Sequence, residues 1–192
     1  MRPLIVIALC CLLSTRVFAQ DFKRGVEVYK RQDFVVALRN WRHLAEQGHA
    51  GAQYQLGIMY EYGRGVPQND ADAVKWYTLA ANQGVAAAQY KLGIMYDNSW
   101  GVTQNDAEAV KWYKKAAAQG HAYAQYDLGL MFASGTGVPQ DYIRAHMWLN
   151  LAIAQGNNHM IKHRKEIAKH MTPAQITEAV RMAIDWIKTQ QK

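Results

Sequence analysis

The segment from Gly51 to Gly84, GAQYQLGIMYEYGRGVPQNDADAVKWYTLAANQG, is answered by AAQYKLGIMYDNSWGVTQNDAEAVKWYKKAAAQG from Ala87 to Gly120 and by YAQYDLGLMFASGTGVPQDYIRAHMWLNLAIAQG from Tyr123 to Gly156. The three stretches superpose at a constant spacing of 36 residues. Gly57, Gly93 and Gly129 fall on one another, as do Gly65, Gly101 and Gly137, then Trp76, Trp112 and Trp148, then Gly84, Gly120 and Gly156. Coincidence does not produce this many matches at one period, so the chain is a repeat array.

Each unit reads as two helices. Ala52, Leu56, Met59 and Tyr60 recur at i, i+4, i+7 and i+8, which is one helical face, and Gly57 leaves room for a neighbouring helix. Gly63-Arg64-Gly65-Val66-Pro67 breaks the pattern, and Asn69 then stands as an N-cap with Asp70 and Asp72 behind it, an arrangement repeated by Asn105, Asp106 and Glu108. The second helix carries Ala73, Trp76, Tyr77 and Ala80 and stops at Gly84, a left-handed C′ position. Short connections make the two helices antiparallel neighbours, and stacked pairs make a solenoid.

The run A-x-x-x-L-G-x-x-Y, then G-x-G-V, then A-x-x-W-Y and A-x-Q-G resembles the Sel-one-like repeat, a tetratricopeptide-like α/α repeat. The resemblance implies an all-α fold, an α/α solenoid forming a right-handed superhelix of antiparallel helix pairs. Full units are expected at 50–84, 86–120 and 122–156. Residues 21–48 form a partial unit, in which Ala37, Trp41 and Gly48 keep the second-helix pattern while the turn shrinks to Arg31-Gln32-Asp33. After Gly156 the positions equivalent to Leu56 and Gly57 become Arg164 and Lys165, which do not suit a close helix seam. Thr172-Pro173-Ala174-Gln175 is a helix start, and Ile176, Val180, Ala183, Ile184 and Ile187 form an apolar stripe behind it. Residues 157–192 are therefore expected to be C-terminal capping helices with an apolar face turned inward.

Ahead of the array, MRPLIVIALCCLLSTRVFAQ has the build of a secretory signal: Arg2, an apolar run from Leu4 to Leu13, and the site Val17-Phe18-Ala19 before Gln20. Residues 1–19 are read as a signal peptide, cleaved near Ala19/Gln20, that sends the chain to the periplasm or beyond. Cys10 and Cys11, the two cysteines, lie within it, so the mature chain holds no disulfide, thiolate metal site or thiol nucleophile. Leu9 and Cys10 precede them where a lipid anchor wants a small residue, and no other segment is long and apolar enough to be transmembrane.

Signals of catalysis are nearly absent. Ser99 and Ser134 are the serines after residue 19, both in inter-helix connectors, and neither stands in G-x-S-x-G or S-x-x-K. The opposing class, a cell-wall or β-lactam hydrolase-like enzyme, would have to use one of them. No phosphate loop or dinucleotide fingerprint occurs, so no cofactor is expected, and an exported chain has no nucleic-acid partner to meet. His159, His163 and His170 share a helical face without a placed third ligand among lysines 162, 165 and 169, so a solvated basic face accounts for them better than a metal does. His49 and His121 occupy one turn position in different units and read as structural. Tyr54, Tyr90 and Tyr126 recur like the tryptophans, and a side chain repeated in every copy reads as packing rather than as a stacking ladder.

Positions that differ among near-identical copies are released from that constraint. Gln55, Lys91 and Asp127 form one such set, Gly51, Ala87 and Tyr123 a second, and Tyr62, Asn98 and Ser134 a third. The resemblance implies that first helices line a concave surface, so these residues either face a bound segment or record neutral drift. Trp100 replaces Arg64 and Thr136 in its connector; it is either an exposed binding anchor or a local cover over Tyr96 or the next connector. Residues 20–156 carry 13 basic and 12 acidic side chains and residues 157–192 carry 7 and 3, so the cap suits weak contact with anionic envelope components or an acidic partner. The expected function is that of an exported, non-catalytic scaffold binding a protein or peptide segment; the alternatives are the enzyme and a peripheral envelope-binding module.

Overall fold

Every regular element among the described residues is helical, and the helices follow in pairs. The computed structural model describes residues 20–156 and 158–190, so the signal-peptide reading lies outside it. Helix α1 covers residues 20–30, and α2 runs Phe34–Glu46, α3 Ala50–Tyr62, α4 Asp70–Asn82, α5 Ala86–Asn98, α6 Asp106–Ala118, α7 Ala122–Ser134 and α8 Tyr142–Ala154. A short 3-10 turn at Asn158–Met160 leads into α9, Ile161–Ala168, and α10, Pro173–Gln190, ends the described chain. None of these helices is long and apolar enough to cross a membrane. The chain divides into two compact units, one up to Val85 and one from Ala86.

In the first unit, α2 packs on α3 and α3 on α4 around Trp41, Leu44, Leu56 and Met59. Asp33 caps α2 by accepting from the Val36 N–H, after Gln32 takes a positive φ of 63°. Trp41 is buried directly over Gly25 of α1, as the Tyr77 ring is over Gly57. The indole fills the place of the tyrosine across a connection shortened to three residues.

In the second unit, α5 pairs with α6 and α7 with α8, and α6 packs on α7. Their core joins Val110, Tyr113, Leu128, Phe132 and Leu149 with Ile167 of α9. Asn105 and Asp141 cap α6 and α8 by accepting from the Glu108 and Arg144 N–H groups, as Asn69 caps α4 in the first unit. His49 and His121 are N-caps too, each ring Nδ1 accepting from the backbone two positions into the helix-start, Ala52 and Ala124.

The cap forms as expected at its start and differently along its length. The Thr172 hydroxyl accepts from the Gln175 N–H while the Gln175 side chain accepts from the Thr172 N–H, a reciprocal capping box. The face turned toward α8 is Ala179, Met182, Ala183 and Trp186, which meet Met147, Trp148 and Leu151. The anticipated stripe is corrected accordingly: Ala183 belongs to the seam, whereas Val180, Ile184 and Ile187 are 40%, 47% and 37% exposed. Two alanines let α10 approach α8 closely and the indoles of Trp148 and Trp186 meet edge to face at 6.1 Å, so this face wins the contact over the one with more aliphatic bulk.

Candidate partner-binding groove

A groove of about 520 Å³ opens on the second unit. Asp97 comes from the end of α5; Asp127, Leu130, Met131 and Ser134 come from α7, and Thr136 from the connector behind it. Tyr142 of α8 and Glu166, Ile167 and His170 of α9 and its following turn complete the lining. Two features keep it open. Ala133 stands on the wall where the preceding copies carry Glu61 and Asp97. Helix α9, in the place of the next first helix, has 8 residues where the regular ones have 13.

The carboxylates of this groove have distinct surroundings. Asp127 accepts a hydrogen bond from the Tyr90 hydroxyl, yet burial pushes its carboxyl up to about 6, with the nearby charge of Asp97 adding to the rise. Asp97 accepts from the Tyr113 hydroxyl at 3.3 Å and is also raised, chiefly by burial. Neither takes a lysine or arginine among the described ion pairs. Glu166 differs: Lys169 pairs with it at 2.7 Å and holds it below the usual carboxylate range. Tyr142 and His170 stack with centroids 5.1 Å apart and planes 12° from parallel.

Of the variable positions, Asp127 and Ser134 line this groove. The Ser134 hydroxyl donates to the Met131 carbonyl and shares a bond of 2.7 Å with Thr136. Tyr123 is 50% exposed beside Tyr90 and His121, and Asn98 bonds the Ile94 carbonyl from an exposed position. Lys91 and Ala87 are half-buried on α5. In the first unit Gln55 is half-buried, Gly51 abuts the Phe22 ring, and exposed Tyr62 has the Arg64 guanidinium over its ring. Trp100 is 46% exposed, its backbone N–H donating to the Met95 carbonyl. The three histidines of the last stretch do not converge: His163 bonds the Tyr126 hydroxyl, His159 meets the edge of the same ring, and His170 stacks on Tyr142. No group of three His, Cys, Asp or Glu able to hold a metal occurs among the described residues.

A family model described as the Sel1 repeat matches residues 50–85, 86–121 and 122–157. The chain belongs to the Sel1 repeat family. Solved relatives give the fold as an α/α solenoid of Sel1-like repeats. The crystal structure of c5321, a protective antigen present in uropathogenic Escherichia coli strains, superposes with a TM-score of 0.78 at 33% identity, covering 88% of this chain and 38% of that one. A Sel1 repeat protein from Oxalobacter formigenes gives 0.73 at 32% identity, covering 88% and 70%. Two curated relatives, exopolysaccharide production negative regulators of Rhizobium meliloti and Rhizobium leguminosarum, are 42% and 40% identical over 57 residues. The chain spans about a fifth of the length of these regulators, the match covering 21% of each.

Sel1 repeats generally mediate protein interactions and are generally non-catalytic scaffolds. Ser99 donates to the Val102 carbonyl, and Ser134 bonds Met131 and Thr136. Sequence reasoning passed over Asp97, Thr136, Tyr142, Glu166 and His170 as parts of one groove. A visible signal was the set Glu61, Asp97 and Ala133, which varies at repeat-equivalent positions just as Asp127 does.

Proposed function

We propose that this Sel1 repeat chain is an exported scaffold that binds a segment of another protein in the groove of its second unit. One observation carries the reading: Asp127 and Ser134, at positions where otherwise matching copies differ, line a single groove whose volume falls in the range of ligand sites. Export is supported by the signal-like residues 1–19, with the periplasm as the destination of the mature chain. The names of the rhizobial relatives favour a regulatory adaptor over a purely structural part.

Panning a random peptide library on the full chain tests this, with Ser134→Trp as a variant that fills the groove. The expected result is that selected peptides lose binding to the variant while its melting temperature is kept. Peptides that bind both forms equally would overturn the assignment of the groove. Covalent labelling of Ser99 or Ser134 by a tagged β-lactam would replace the scaffold reading with the enzyme.

A further inference from the structure

The groove is apolar along Leu130, Met131 and Ile167 and anionic at Asp97 and Asp127, with the stacked Tyr142–His170 pair on its lining. An occupant that complements all three features has a long aliphatic stem, a cationic end with several donors, and a flat face. Lysine offers the first and a point charge; arginine offers all of them, because its planar guanidinium both forks onto carboxylates and stacks on rings. Tyrosine hydroxyls hold the two acids in place without neutralising them. Glu166 contributes less, being paired with Lys169.

We infer that the groove seats an arginine of a protein partner, its guanidinium against the carboxylates of Asp97 and Asp127 and its stem along Leu130, Met131 and Ile167, with apolar residues flanking it in the partner. This rests on the reading of the groove as a partner site. A groove of about 520 Å³ has room for more than one side chain, so a segment of chain suits it better than a lone cation. The chain as a whole is positive, 22 basic against 15 acidic residues, so this anionic cleft is a local exception, one that favours a cationic partner segment over an acidic one.

Pools of capped hexapeptides, with one fixed central residue among mixed apolar neighbours, are passed over the immobilised full chain. The fixed residue is arginine, lysine, citrulline, leucine or glutamate. The arginine pool is expected to be retained about tenfold more strongly than the citrulline pool, which keeps the shape and loses the charge, with lysine between them. High salt should reduce that margin, and the Asp97→Asn/Asp127→Asn double variant should abolish it without lowering its melting temperature, since each amide still accepts from its tyrosine. Spermidine at equal concentration should not displace the arginine pool. Equal retention of arginine and citrulline, a preference for glutamate, retention unchanged in the double variant, or no pool retained would overturn the inference. Displacement by spermidine would assign the groove to a free polyamine instead. If peptides of another composition bind and are lost on Ser134→Trp, the groove remains a partner site and only the arginine assignment fails; if the arginine pool survives that block, both fail.

Discussion

Ser99 occupies the position that Gly63 and Gly135 hold in the other two full copies, and all three take the left-handed conformation, with φ of 59°, 64° and 77°. A Cβ in that region is unfavourable, so the middle connector carries strain its siblings avoid. Ser99→Gly is expected to raise stability by about 0.5 kcal/mol, the relief being partly offset by glycine's larger unfolded-state entropy and by loss of the bond to Val102. A lower melting temperature would show that the serine bond outweighs the backbone term. Gly93 makes the opposite case: a Cβ there would lie 2.5 Å from the Tyr113 ring, so Gly93→Leu should cost about 1–3 kcal/mol, read from chemical denaturation. Asp127 adds a pH dependence. Its folded-state value of about 6 lies above the ordinary 3.8, so the folded state favours the protonated form, a contribution fully present below about 3.8 and lost as pH rises through 6. Asp127→Asn should therefore melt higher than the parent at pH 7.5, by up to about 2 kcal/mol of stability, with the gap closing toward pH 4. Melting curves at the two pH values check it; an equal loss at both would mean the carboxylate supports the fold.

The helices were legible because each signal in the sequence acts locally. Asn69, Asn105, Gln175 and the period-36 glycines work through backbone groups a few residues away, and the structure places them accordingly. The inward face of α10 was not legible, because its choice between the Ala179–Ala183 side and the Val180–Ile184 side is made by α8, whose Trp148 receives Trp186. Hydrophobic bulk ranks the two sides one way and close packing ranks them the other. The groove was half legible for the same reason. Variation among copies marked Asp127 and Ser134, while Tyr142 and His170 enter from elements whose approach depends on the short α9. Removing residues 171–192 should uncover Met147, Trp148 and Leu151 on α8 and make the chain associate. Light scattering on the truncated chain should show particles larger than a monomer; a monomer of unchanged melting temperature would make α10 an appendage.

At the scale of the whole molecule, the array is built on covarying pairs. Tyr77 bonds Glu61 and Tyr113 bonds Asp97, while the third copy replaces both partners at once, with Leu149 and Ala133. A buried tyrosine hydroxyl without its acid would be an unsatisfied donor, so the two changes have to travel together. The exchange gives the second unit an apolar wall where the earlier copies are acidic, and with it the groove. The export proposed from residues 1–19 makes a chain-wide prediction: the intact mass of protein recovered from the periplasm of a Gram-negative host should correspond to residues 20–192, without either cysteine. Recovery of the full-length mass from the cytoplasm would overturn that.

The bonds of Gln83 to Gln53, Gln119 to Gln89 and Gln155 to Gln125, at 2.7–2.8 Å, close within single copies. Gln53 and Gln125 accept those bonds with their side-chain oxygens and donate their side-chain N–H groups backward, to the carbonyls of Ala45 and Ala117. Those acceptors are main-chain groups at the end of the helix before, and every helix end leaves such carbonyls open whatever its side chains. A duplicated gene segment would thus bring its own lock and find a keyhole already cut, so array length can grow or shrink by recombination without stranding a buried polar group.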